Sequence, residues 1–157
     1  MNVKIILLAV FSFGCLVGIP PVVYAQHKAQ SSKSSVQEIF RLINQHRTSK
    51  GLKPLKLNEA IIKEAEKHSR NMASGAVPFG HDGFNGRSDR LMNGIKNANS
   101  AGENVAYSQG APAHVVDNWL NSPVHKKNIE GDYTLTGIGI ATAANGQVYY
   151  TQIFIRN

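Results

Sequence analysis

Apolar residues recur at helical spacing in three stretches of the chain. Val36, Ile39, Phe40 and Ile43 share one face, Ser35-Val36-Gln37-Glu38 before them has the spacing of a capping box, and Gly51 stops the pattern, which predicts a first helix opening near Ser35. Asn58 can cap a second helix with the stripe Ile61, Ile62, Ala65, His68 and Met72. Pro112 suits the first turn of a third, with Val115, Val116, Trp119 and Leu120 inward, and Ser122-Pro123 starts a shorter helical piece in the same manner. Between Ser74 and Ser100 there is no clean period apart from a turn of helix at Arg87–Met92, so this stretch predicts a long functional loop.

The C-terminal third changes period. Leu135 to Ala141 and Gln147 to Ile155 read as strands joined at Asn145-Gly146, a strong hairpin signal. In the second run Val148, Tyr150 and Phe154 fall on one face and Tyr149, Ile153 and Ile155 on the other. A strand that is apolar on both faces is covered on both, which gives an α+β fold with a sheet between helix layers.

The first residues follow a different logic. Lys4, an apolar run from Ile5 to Ile19, and Val23-Tyr24-Ala25 form the order of a secretory signal peptide cleaved after Ala25, giving a secreted, extracellular or periplasmic product. Gly14, Gly18 and the Pro20-Pro21 pair break the run short of the roughly 20 apolar residues an anchor needs. Residues 26–34 are polar and aperiodic and read as a flexible lead-in to a domain over 35–157. Cys15 leaves with the signal, so the mature chain has no disulfide, thiolate nucleophile or Cys-bound zinc. Of the 157 residues, 17 are Lys or Arg and 10 Asp or Glu; removing Lys4 lowers the net charge from +7 to +6. The basic residues are scattered and no run exceeds Lys126-Lys127, which counts against nucleic acid as the partner.

Among the histidines, His68 lies on the apolar stripe of the second helix and reads as a hydrogen-bonded core residue. His81, in the Gly-flanked loop Phe79-Gly80-His81-Asp82-Gly83, and His125, after Ser122-Pro123-Val124, have no comparable structural explanation. Glu103 is a lone carboxylate entering an apolar stretch. Two imidazoles and a carboxylate with an open fourth position are a ligand set for an exchangeable divalent metal such as Zn²⁺, and equally a general acid and base without metal. Spacing decides neither, because 22 residues separate each successive pair. Ser122 before Pro123 reads as a helix cap with its hydroxyl committed to backbone amides, and Trp119 reads as core.

Together the motifs resemble the CAP superfamily of cysteine-rich secretory proteins, antigen 5 and pathogenesis-related 1 proteins, in its short bacterial, cysteine-free branch. The likeness runs through Asn44-Gln45-His46-Arg47, His68-Ser69-Arg70-Asn71-Met72-Ala73, His81-Asp82-Gly83, Gly102-Glu103-Asn104-Val105-Ala106, Trp119-Leu120-Asn121-Ser122-Pro123-Val124-His125, Thr136-Gly137-Ile138-Gly139 and Tyr150-Thr151-Gln152. It implies a three-layer α-β-α sandwich with a central cleft in which two His and two Glu hold a divalent metal in some members. Position by position, His81 and Glu103 match the first His and a Glu, whereas Ser122 stands for the second Glu and Tyr149 for the second His. The cleft set is then His81, Glu103, Ser122, His125 and Tyr149, with His81, Glu103 and His125 as the metal candidates. The reading favoured is a secreted, non-catalytic module binding a small ligand, lipid, wall component or divalent metal. The alternative is a metal-assisted hydrolase or peptidase using His81, Glu103 and His125.

Overall fold

A computed structural model describes residues 21–157. The chain runs α1 (Pro21–Ser49), β1 (Lys56–Leu57), α2 (Glu59–Ser74), α3 (Phe84–Gly94), β2 (Ser100–Ser108), α4 (Pro112–Asn121), α5 (Pro123–Ile129), β3 (Leu135–Thr142) and β4 (Val148–Arg156). The strands form one mixed sheet in the order β1-β3-β4-β2, parallel between β1 and β3 and antiparallel elsewhere. The hairpin is the one that Asn145-Gly146 announces: Gly146 sits at φ 83° and its N–H donates to the Ala143 carbonyl.

The two faces of β4 enter different cores, as its alternation requires. Tyr150 and Phe154 pack with Ile39 and Ile43 of α1, Val115, Val116 and Trp119 of α4 and Ile129 of α5. Ile153 and Ile155 pack on the opposite face with Ile61 and Ala65 of α2 and Leu91 of α3. This is the expected α-β-α sandwich. The layer formed by α2 lies directly on β3, because Gly137 and Gly139 leave no side chain between them: a Cβ on Gly139 would stand 2.2 Å from the Ala65 carbonyl carbon.

Several boundaries differ from the sequence reading. Among the described residues the first helix already runs from Pro21, ahead of the expected start at Ser35, and it continues through residues 26–34, which are helical where an aperiodic, flexible lead-in is expected. No Gly or Pro lies between Pro21 and Gly51, so nothing breaks the helix there, and Glu38 pairs with Arg41 at 2.9 Å instead of closing a capping box. Of the segment read as a signal peptide, residues 1–20 lie outside the described residues. Among the described residues no helix is long and apolar enough to cross a membrane.

The stretch read as a loop holds an eleven-residue helix, α3, which extends the turn expected at Arg87–Met92, and the nine-residue strand β2 begins where that stretch ends, at Ser100. Gly83, at φ 76°, precedes α3 without a side-chain cap, so its start carries no sequence signal of the usual kind. The other starts follow their signals: the Asn58 side chain accepts from the Ala60 and Ile61 amides at 2.9 and 3.3 Å, and Pro112 and Pro123 occupy the first turns of α4 and α5. Ser122 does precede α5 at the cap position, but its hydroxyl makes no capping hydrogen bond, contrary to expectation.

As the last strand in the sheet, β2 has an outer edge that needs partners. Trp119 Nε1 donates to the Val105 carbonyl at 3.2 Å and Asn128 Nδ2 to the Glu103 carbonyl at 3.0 Å, so α4 and α5 close that edge with side chains. Trp119 is 1% exposed and is core, as the spacing predicts.

Candidate functional site

The site is built around one buried carboxylate. Glu103 stands opposite Ile153 in the register of β2 and β4, so strand alternation sends it to the sheet face that α2 and α3 cover. A carboxylate on that face needs a counter-charge, and Arg87, in the first turns of α3, supplies it. Its Nε donates to Oε2 at 3.0 Å and its Nη2 to Oε1 at 2.9 Å, a two-pronged ion pair whose side chains are 1% (Glu103) and 8% (Arg87) exposed. Arg87 Nη1 also donates to the Asp82 carbonyl at 2.8 Å, which fixes the guanidinium against the loop that carries His81.

His81 completes the group from the solvent side. Its Nδ1 is 2.9 Å from Glu103 Oε1; a carboxylate only accepts, so Nδ1 bears the hydrogen and the other ring nitrogen, Nε2, is the one left for a further partner. The ring is half-exposed at 52%, so it stands at the solvent side of the buried pair. The same loop is pinned from within by His68, whose Nε2 donates to the Gly80 carbonyl at 2.8 Å. Gly80 is at φ 146°, in the region that favours glycine. His68 is 1% exposed, as its place on the stripe of α2 predicts, and its buried Nδ1 has no hydrogen-bond partner among the described residues.

The remaining candidates are placed differently. His125 sits in α5, where its carbonyl accepts from Asn104 Nδ2 at 3.1 Å and Asn128 Nδ2 in turn donates to Asn104 Oδ1 at 2.8 Å. Its ring Nδ1 is buried and has no hydrogen-bond partner among the described residues. Tyr149, opposite Tyr107 in register, joins an aromatic group in place of an imidazole: Phe79 and Tyr107 meet edge to face at 4.8 Å, and Tyr149 lies 6.4 and 6.3 Å from them. Phe79 and Tyr107 are 47% and 55% exposed. Ser122 is half-buried, and its hydroxyl caps no helix amide among the described residues. A wide groove of about 910 Å³, lined by residues including Asn99, Lys126, Tyr133 and Arg156, holds none of these five candidates.

Two of the three expected metal ligands, His81 and Glu103, are therefore in contact, but they do not fit a shared metal. Both carboxylate oxygens are held by Arg87, and no group of three or more His, Cys, Asp or Glu among the described residues is arranged to hold an ion. Arg87 is the residue that the sequence reading missed. A carboxylate entering an apolar stretch calls for a buried cation, and that requirement was the available signal.

The buried imidazoles predict a pH dependence. Burial is the main cause that pushes both His68 and His125 below the usual imidazole range; the Gly80 hydrogen bond opposes it at His68, and the His81 charge adds to it at His125. A folded pKa below the unfolded one means that the unfolded chain takes protons first, so stability is full above about pH 6.5 and falls as the pH drops below it. Urea midpoints are expected to fall between pH 7.5 and 5.5, less steeply in His68→Gln; a flat wild-type profile would contradict the neutral, buried assignment.

Residues 40–154 match the family model of the cysteine-rich secretory proteins, CAP. The chain belongs to the CAP family. The YkwD protein of Bacillus subtilis is 34% identical over 130 residues, covering 81% of this chain and 49% of YkwD. An extracellular protein with an SCP domain from Bacillus anthracis superposes with a TM-score of 0.69 at 30% identity, over 89% of this chain and 45% of that one. An outer surface protein of Borrelia burgdorferi shares the fold, with a TM-score of 0.68 at 19% identity, over 80% of this chain and 95% of that one. This chain thus spans about half the length of the two Bacillus relatives. In this CAP domain Glu103 meets two basic neighbours, Arg87 and His81, and Tyr149 stands in an aromatic group with Phe79 and Tyr107.

Proposed function

We propose that this CAP domain is a secreted, non-catalytic binding module that takes a small ligand, lipid or wall component at the mouth of the cleft, where His81 offers an acceptor nitrogen. The observation that carries the reading is the two-pronged Arg87–Glu103 pair. A general base or a metal ligand needs free carboxylate lone pairs, and three of the about four directions at Glu103 are already engaged by Arg87 and His81. The half-exposed rings of Phe79 and Tyr107 support a binding role, since they offer apolar contact without any nucleophile. The apolar first 25 residues, together with the extracellular and outer-surface descriptions of the Bacillus anthracis and Borrelia proteins, support export.

One observation favours a second reading, hydrolysis with His81 as general base: the His81–Glu103 contact orients the imidazole as a carboxylate does in hydrolase triads. The Arg87 fork weakens it, because a carboxylate neutralised by a guanidinium lends less support to an imidazolium.

Native mass spectrometry of the secreted protein, and its co-sedimentation with isolated cell wall and with phospholipid vesicles, test the proposal. The expected result is a saturable complex weakened at least about tenfold by His81→Ala, a loss of ~1.4 kcal/mol, with no turnover of peptide or ester substrates. Hydrolysis that His81→Ala abolishes would establish the second reading instead.

A further inference from the structure

We propose that Arg87 is the chain's built-in counter-cation, occupying the charge position that a divalent metal would take on Glu103 and so closing the cleft to such ions. The inference does not depend on the binding reading.

A carboxylate offers about four lone-pair directions. At Glu103, Oε1 accepts from both Arg87 Nη2 and His81 Nδ1, each at 2.9 Å, and Oε2 accepts from Arg87 Nε at 3.0 Å. Any cation bound to the remaining direction on Oε2 would lie beside the guanidinium. That charge cannot withdraw easily: the side chain is 8% exposed, and its third nitrogen is tied to the Asp82 carbonyl at 2.8 Å. Nor can deprotonation remove it, since a guanidinium keeps its proton in proteins.

His81 is excluded as a co-ligand by the same geometry. The nitrogen that faces Glu103 is the one that carries the hydrogen, and the lone pair is across the ring, directed away from the carboxylate. One ion cannot meet both groups unless the ring turns over. With Arg87 removed, the carboxylate, its side chain 1% exposed, would lose its compensating charge, and a divalent ion held by Glu103 and a reoriented His81 becomes the simplest replacement.

The test is Zn²⁺ titration by calorimetry and thermal denaturation on the full secreted chain after chelator treatment. In the wild type, Zn²⁺ is expected to have the same effect as in His81→Ala, because surface histidines alone respond. Arg87→Met should gain a one-to-one site at least about tenfold tighter than any in the wild type, with a Zn²⁺-dependent rise in Tm, and Arg87→Met/His81→Ala should lose it. If Arg87→Met is unfolded in chelator, recovery of its native circular dichroism on adding Zn²⁺ is the supporting result. Wild-type binding that His81→Ala or Glu103→Gln abolishes would overturn the proposal. So would a folded Arg87→Met with no gain, or an unfolded one that Zn²⁺ does not restore.

Discussion

Gly139→Ala is expected to destabilise the domain by ~3 kcal/mol or more, enough to leave a large unfolded fraction at moderate temperature. The added methyl carbon would stand 2.2 Å from the Ala65 carbonyl carbon and 2.2 Å from the Glu66 amide nitrogen, both backbone atoms of α2. A side chain could rotate away, but a helix backbone can only move as a unit. Lifting α2 would open the core that Ile61 and Ala65 make with Ile153 and Ile155. Gly146→Ala is the control: its φ of 83° makes any substitution strained, yet nothing lies within 4 Å of the new carbon, so its cost should be ~1 kcal/mol. Urea unfolding of both variants measures the difference. Equal midpoints would mean that α2 does not rest on β3 at this glycine.

The second large effect concerns the centre of the cleft. Arg87→Met leaves a buried carboxylate without its counter-charge, and Glu103→Gln leaves a buried guanidinium without its own; each is expected to cost ~3–5 kcal/mol. Both side chains are under a tenth exposed, so solvent screens the pair little. His81→Ala removes one hydrogen bond from a half-exposed ring and should cost ~1 kcal/mol, which separates a structural loss from a loss of ligand.

How much of this was legible beforehand follows from where each signal resides. The hairpin and the starts of α2, α4 and α5 depend on residues next to them in sequence: Asn145-Gly146, Asn58, Pro112 and Pro123. β2 was hidden because its alternation includes Glu103 and Asn104, both buried and polar, whose partners Arg87, Asn128 and His125 come from other elements. α3 showed only as the turn at Arg87–Met92 because it contains Gly86 and Gly94 and is held by burial of Arg87 and Leu91, not by propensity or a cap. The contact of His81 with Glu103 could be anticipated only through the CAP resemblance, since no periodicity joins residues 22 apart. The resemblance also suggested a metal, but the charge on Glu103 is met by Arg87, outside the motifs that carried the likeness.

Because Arg87 and Glu103 neutralise each other as a buried pair, a double-mutant cycle should show strong coupling between them. Urea unfolding of wild type, Arg87→Met, Glu103→Gln and Arg87→Met/Glu103→Gln gives the coupling energy of the pair. The predicted result is a double variant more stable than the sum of the single losses by ~2 kcal/mol or more, because removing both charges leaves neither one buried alone. Losses that add to within ~0.5 kcal/mol would contradict it, and would mean that the two side chains do not form the buried pair on which the cleft is built.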